Sequence, residues 1–264
     1  MKNYRVPKIF KPKFNSTKMR IRRKFDGGYI VSQKALINSK NLVSLGVFDD
    51  WSFESDILDK NKKIKLFIFD GSVNLIFWFK YVIKSFYYFL KKKLSFKKLI
   101  LNYIQFVIFP FFILRKNVKF INKNIIKNSK KINLNRYSSI TRVIEDNNLN
   151  NIFFKIDIEG NEYSILNELI KYRNKIECLV IEFHSIRKNF KKIKKFIKEF
   201  KLNIIHIHVN NYGSVSISGY PSVVEFTFVK REYCKKNTKD VQLPIKNLDF
   251  PNNPDGDDKK VLFY

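Results

Sequence analysis

The stretch Asn151-Ile152-Phe153-Phe154-Lys155-Ile156-Asp157-Ile158-Glu159-Gly160-Asn161-Glu162-Tyr163 decides how the chain reads. A short apolar run bounded by a turn signal predicts a buried strand over Asn151–Ile158, with Asp157 near its end. Gly160 supplies the turn. Asn161–Tyr172 follows as a helix whose apolar positions are Tyr163, Ile165, Leu166 and Leu169. Strand, tight turn and helix in succession are the unit of an α/β sheet. In open parallel sheets, ligands bind at the carboxyl ends of the strands. Asp157 and Glu159 stand at such an end, where unpaired carboxylates are costly and need partners.

The same alternation extends in both directions. Downstream, Glu177–Phe183 reads as a strand ending at Glu182 and His184, and Ser185–Phe200 as a strongly basic helix. Ile204–Val209 and Val223–Val229 are two late strands, separated by a Gly, Asn and Ser loop and able to pair antiparallel. Upstream, Asn41–Gly46 is a first strand and Asp50–Asp59 a helix with Ser52 as its N-cap. Ile64–Asp70 is a second strand, Val118–Ile121 a weaker one, and Tyr137–Asn147 a helix. The strand tips carry Gly46, Asp70, Asp157, Glu159, Glu182 and His184. Asp70 lies 70 − 46 = 24 residues after Gly46, the spacing of a nucleotide site whose second-strand carboxylate takes the ribose hydroxyls. Leu45–Asp50 offers one Gly where a dinucleotide fingerprint needs three, which disfavours a nicotinamide-dependent dehydrogenase. A phosphate-free cofactor such as S-adenosylmethionine makes no such demand.

Composition bounds the rest. The chain has 264 residues, read as a single domain over 1–264, and 45% apolar content excludes a disordered chain. Its net charge is +29, carried by 42 Lys and 10 Arg, while Ala35 is the only alanine. That pattern fits a codon bias that fills solvated faces with Lys, or attraction to polyanions. Scarce Arg argues against specific nucleic-acid recognition. Cys178 and Cys234 form no C-x-x-C pair, so a zinc ribbon and a disulfide scaffold are disfavoured and a reducing setting fits. Residues Met1–Phe14 are basic and lack the apolar run of a signal peptide, giving an expected cytoplasmic location.

Five segments resemble one family. Lys155–Tyr163 looks like the K-I-D-I/V-E-G-x-E motif of FkbM-type S-adenosylmethionine-dependent methyltransferases. Asp26-Gly27-Gly28-Tyr29-Ile30-Val31 is similar to its D-G-G-Y-V element, and Ser44–Glu54 to its S-x-G-[VI]-x-x-D-x-S-F-E segment. His206-Ile207-His208-Val209-Asn210-Asn211-Tyr212-Gly213 and Leu248-Asp249-Phe250-Pro251-Asn252-Asn253-Pro254 resemble two further elements of one branch. The match runs from about residue 25 to the C-terminus. It implies a class I methyltransferase (Rossmann-like) fold, a mostly parallel seven-stranded sheet with an antiparallel last strand. It implies S-adenosylmethionine as methyl donor and a hydroxyl as acceptor, in a family often associated with sugars, glycolipids and secondary metabolites.

Roles follow as expectations. Asp26, Gly28, Tyr29, Gly46, Val47, Glu54, Asp70, Gly71 and Asp157 are cofactor-binding candidates. Asp157, Glu159, His184 and His208 are catalytic candidates. His206, Asn210, Asn211 and Tyr212 are candidates for the acceptor. His206 and His208 share one strand face, which leaves open a divalent metal site with Asp157, Glu159, Glu182 or His184 (first among them Asp157 and Glu182), alongside general-base and structural roles. The competing function is an inactive methyltransferase-fold module that binds an anionic membrane surface or nucleic acid.

Three regions flank or interrupt the sheet pattern: an N-terminal extension (1–40) that carries the D-G-G-Y element, an insert (75–116) that matches no motif of the family, and a tail (247–264). The insert interleaves aromatics with Lys80, Lys84, Lys91, Lys92, Lys93, Lys97 and Lys98, and Leu99–Leu114 is apolar but interrupted by Pro110. The expectation is a helical insert. It either packs on the domain or lies peripherally, through Leu75–Leu114, on the anionic inner face of a membrane.

Overall fold

The computed structural model describes residues 3–22, 24–128, 133–238 and 240–264. Its central sheet contains β1 (Asn41–Leu45), β2 (Lys65–Phe69), β3 (Val118–Ile121), β4 (Ile152–Ile156), β5 (Ile176–Phe183), β6 (Asn203–Val209) and β7 (Val224–Val229). The order across the sheet is β6-β7-β5-β4-β1-β2-β3. Strands β1 to β5 run parallel to one another, and β7 is antiparallel to both β5 and β6. This is the expected class I methyltransferase arrangement. The chain winds outward one way through β1, β2 and β3, then the other way from β4 to β5. The crevice for a ligand therefore opens between the carboxyl ends of β1 and β4, where the order reverses.

The period-two alternation of β4 builds both cores. Ile152, Phe154 and Ile156 face one core, closed by α5 (Ile140–Asp146), α6 (Glu162–Lys171) and α7 (Ile186–Phe200). Phe153 faces the other, closed by α1 (Gln33–Asn38), α2 (Ser52–Lys60) and the base of a helical hairpin. That hairpin, α3 (Leu75–Leu90) and α4 (Phe96–Ile113), is the insert. Every β4 residue is buried, as expected of a parallel strand covered on both faces.

Three local expectations are corrected. Ser52 is not the N-cap of α2 but its first residue; its N–H donates to Asp50 Oδ1 at 2.9 Å, so the carboxylate one position before the cap serves the orphan donor. The helix expected from Tyr137 begins at Ile140. Ser139 caps it by accepting from Arg142 N–H, and Tyr137–Ser138 pairs instead with Asn124–Ile125. Pro110 does not interrupt the apolar stretch. It sits in the last turn of α4, which continues to Ile113, where losing one backbone donor breaks little of the helix.

The two chain ends are stitched together. Tyr4–Val6 pairs parallel with Val261–Phe263, and Phe14–Asn15 pairs with Lys235–Lys236. The segment 248–258 folds back over β6 and β7, which brings its acidic and amide side chains onto the sheet.

Candidate active site

Gly46 fixes the entrance. Its φ is +78°, and a Cβ there would lie 1.9 Å from the backbone oxygen of Asp157, so only glycine lets the β1 turn pass this close to the end of β4. Lys155 Nζ, at the buried end of β4, donates to Gly46 O at 2.5 Å and ties the two tips together. Asp70 at the tip of β2 is 6% exposed. Its Oδ2 accepts Val47 N–H and Phe48 N–H at 3.0 and 2.9 Å, and its Oδ1 accepts from Ser72. Asp70 thus organises the β1–α2 loop with both carboxylate oxygens engaged. Gly71 N–H donates to Asn124 Oδ1, Gly28 N–H closes a turn onto Phe25 O, and Glu54, buried in α2, accepts from Ser44.

The chemistry concentrates where β4 and β5 end. Asp157 Oδ2 accepts from Tyr29 Oη at 3.3 Å and lies 3.9 Å from Lys155 Nζ. Its Oδ1 is buried and, among the described residues, meets no donor. Glu182 is buried; its Oε2 accepts from Asn210 Nδ2 at 3.0 Å, and its Oε1 lies 3.1 Å from His184 Nε2. His184 Nδ1 lies 3.3 Å from Glu162 Oε1, and Glu159, largely in solvent, stands 3.5 Å from Nε2. One ligand atom from each of Asp157, Glu182 and His184 falls within 4.8 Å of the others.

Electrostatics give these groups different states. Burial, with the nearby charges of Asp157 and Glu225, pushes the Glu182 carboxyl up to about 7, although the bonds from His184 and Asn210 oppose this. Burial works against a charged His184, but the hydrogen bonds to Glu162 and Glu182 win and raise it to about 10. His184 therefore stands as an imidazolium near neutral pH and donates from both nitrogens. Burial, then the charge of Asp157, hold the Tyr29 phenol above its ordinary range. Tyr29 is a donor to Asp157.

The late histidines belong to a second network. His206 Nε2 lies 2.9 Å from Asp249 Oδ1. His208 is held between Asp258 at 3.0 Å and Glu225 at 3.4 Å. The structure thus brings His184 to Asp157 and Glu182, and engages His206 and His208 with the C-terminal segment. Asn252 bridges Glu225 and Asp26, so the D-G-G-Y element is also fastened to that segment. Asn211 is occupied by Asn253 and Gly256, whereas the Tyr212 ring is exposed. Sequence reasoning missed Asp249, Asp258 and Glu225 as histidine partners. Asp249 and Asp258 stand in a tail that reads as a loop, and Glu225 is a lone carboxylate in the apolar run of β7, so neither position signals a histidine partner.

No family model matches the chain, and no curated protein matches it in sequence. Among solved structures it is similar to the methyltransferase FkbM from Methylobacillus flagellatus KT, with 12% identity over 72% of this chain and 44% of that chain and a TM-score of 0.40. It is similar also to a fibrillarin pre-rRNA processing protein of Methanococcus jannaschii, with 10% identity over 81% and 83% of the two chains and a TM-score of 0.38. A third is precorrin-6y C5,15-methyltransferase from Geobacter metallireducens GS-15, with 10% identity over 75% and 84% and a TM-score of 0.36. The chain spans less than half the length of the Methylobacillus protein. The fold assignment stands on the strand order itself.

Proposed function

We propose that this chain is an S-adenosylmethionine-dependent O-methyltransferase of the FkbM type, acting on a hydroxyl of a sugar or glycoconjugate. The observation that carries the reading is the orphaned Oδ1 of Asp157, a buried anionic acceptor at the switch point of the sheet. A cationic cofactor end suits it, because a buried carboxylate oxygen without a donor is destabilising until a positive partner arrives. Asp157 would hold that end, with Tyr29 and Lys155 fixing the carboxylate's orientation. The β1–α2 loop, gathered by Asp70, would line the remainder. The cofactor supplies an activated methyl group.

The chain's own contribution is positioning and proton handling. Glu182, poised at about 7, is suited to accept the proton of an acceptor hydroxyl near neutral pH. The imidazolium of His184 offsets the charge of Glu182 and Glu162. Tyr212, exposed beside Asn210, would offer its ring to a sugar. Two free, buried cysteines support a reducing, cytoplasmic setting. A second reading, a divalent cation held by Asp157, Glu182 and His184, is favoured by their mutual distances, but His184 would first have to lose its proton. Calorimetry with S-adenosylhomocysteine tests the main reading. Binding is expected in the presence of a chelator, weakened about tenfold or more by Asp157→Asn, the scale of a charged hydrogen bond. Absence of binding to the unaltered protein overturns the cofactor and the activity together.

A further inference from the structure

The α3–α4 hairpin is built inside out. Where it meets the body it packs conventionally, with Trp78, Phe109 and Phe112 buried against Trp51 and Phe120. Beyond that base, the buried side chains between the two helices are Ser85 and Asn102. Asn102 Nδ2 donates to Ser85 Oγ at 2.9 Å, and Tyr81 Oη reaches Asn102 Oδ1. The apolar side chains point outward. Ile76, Phe79, Ile83, Phe86 and Leu90 form an exposed stripe along α3, and Phe96, Ile100, Tyr103, Val107 and Phe111 form one along α4. Their spacing of three and four residues keeps each set on one helix face. Phe111 is 69% exposed and Leu114 79%. Water penalises this surface, and an exposed apolar patch of such extent marks a contact site. Helices that hydrogen-bond to each other through polar side chains and turn hydrocarbon outward are the pattern of helices packed in lipid. Within the chain, α4 is the one described helix long and apolar enough to cross a bilayer.

Charge selects the kind of surface. The exposed tip carries Lys91, Lys92, Lys93, Lys97 and Lys98, and no Asp or Glu occurs from Gly71 to Ile144. A protein partner burying these helices would have to match two long apolar stripes and a lysine cluster together. An anionic leaflet offers both, acyl chains for the stripes and phosphates for the lysines.

We propose that the α3–α4 hairpin docks the protein on an anionic lipid bilayer, with its outward apolar face in the acyl-chain region and the tip lysines at the headgroups. This goes beyond the methyltransferase reading and does not depend on it. The docked arm sits beside the candidate site. Tyr81 Oη donates to Asp49 Oδ2 at 2.7 Å, Gln105 Nε2 donates to Asp49 O at 2.9 Å, and Phe77 packs on Phe48, so the hairpin grips the loop that follows β1. An acceptor presented at a membrane surface would thus arrive next to the β1–β4 crevice.

Flotation of the full chain with vesicles is the test. Vesicles of phosphatidylglycerol and phosphatidylcholine are compared with pure phosphatidylcholine, at low and high salt. The expected result is at least tenfold more bound protein on the anionic vesicles, reduced but not abolished by salt. Phe79→Ser with Phe111→Ser, and separately Lys92→Glu with Lys97→Glu, are each expected to lower binding at least tenfold. All four side chains are exposed, so circular dichroism and the thermal midpoint should hold. Lys188→Glu with Lys191→Glu on α7, an equal change of charge, should leave binding within twofold. Three outcomes overturn the proposal. The first is no binding to either vesicle. The second is binding that the α7 pair weakens as much as the hairpin pair, which would assign it to net charge. The third is a dimer that loses its stability with the two Phe changes while vesicles are ignored, which would give the surface to a second copy of the chain.

Discussion

Helix α7 and the α3–α4 hairpin draw on the same residues, lysine with large apolar and aromatic side chains, and put them to opposite uses. In α7, Ile193, Phe196 and Phe200 are buried on one stripe, and Lys188, Lys191 and Lys194 stand in solvent on the other. That is the ordinary solution for a helix covering a sheet in water. In the hairpin the polar pair Ser85 and Asn102 is inside and the phenylalanines are outside. The comparison teaches that composition and helical period do not say which side of a helix meets protein. A second surface does, and α7 finds one in β5, β6 and β7, while the hairpin beyond its base finds none among the described residues.

The contrast can be broken most sharply in the core beneath α7. Phe196→Ala removes a ring 1% exposed that stacks on Phe200 and meets Phe183 and Phe228 edge-on. It should cost about 3–5 kcal/mol, measured by urea unfolding. Phe111→Ala in α4 should change stability by less than about 0.5 kcal/mol. Comparable losses at both positions would mean that the outer face of the hairpin is buried by something in solution.

His208 separates the two regions by pH. Burial alone would lower its pKa, but hydrogen bonds to Asp258 and Glu225 raise it to about 10. A folded-state value above the unfolded value of about 6.5 means that His208 contributes stability fully below pH ~6.5, a contribution lost as pH rises through about 10. Stability of the body should therefore fall between neutral pH and pH ~10. His208→Ala should cost about 3 kcal/mol at pH 7, since it leaves Glu225 and Asp258 buried without their cation. The same variant should make the decline over this interval shallower, leaving the share of His184, which is raised to the same range. A decline of unchanged steepness would place the pH dependence elsewhere. The segment from Gly71 to Ile144 holds neither histidine nor carboxylate and adds nothing of this kind.

The smallest expected effect lies between the hairpin helices. Asn102→Ala leaves Ser85 and Tyr81 without their mutual partner and should cost about 1 kcal/mol in water. With vesicles present the cost should grow, because water no longer replaces the lost bond. An equal cost in both conditions would show that the helix pair stays in water.

By itself the sequence determined the sheet and its reactive edge. Strands β1, β2, β4, β5, β6 and β7 are legible because a buried strand must be a short apolar run, and its end must carry a turn. The requirement for glycine at Gly46 and the carboxylates at Asp70, Asp157 and Glu182 are written at those ends for the same reason. The cap of α2 is not legible because its position falls to Trp51, a residue with no capping oxygen, while Asp50 before it supplies the acceptor for Ser52 N–H, and only the backbone path decides that. Tertiary structure alone decided the rest. Nothing local to His206 or His208 announces Asp249, 43 residues on, or Asp258, 50 residues on, since a partner across that distance is chosen by how the tail packs. Nothing local turned Asp70 toward its loop, or set His184 rather than the later histidines beside Asp157. The outward face of the hairpin was equally invisible, because an apolar stripe spells burial in sequence, and only the folded body shows that this stripe meets nothing among the described residues to be buried against.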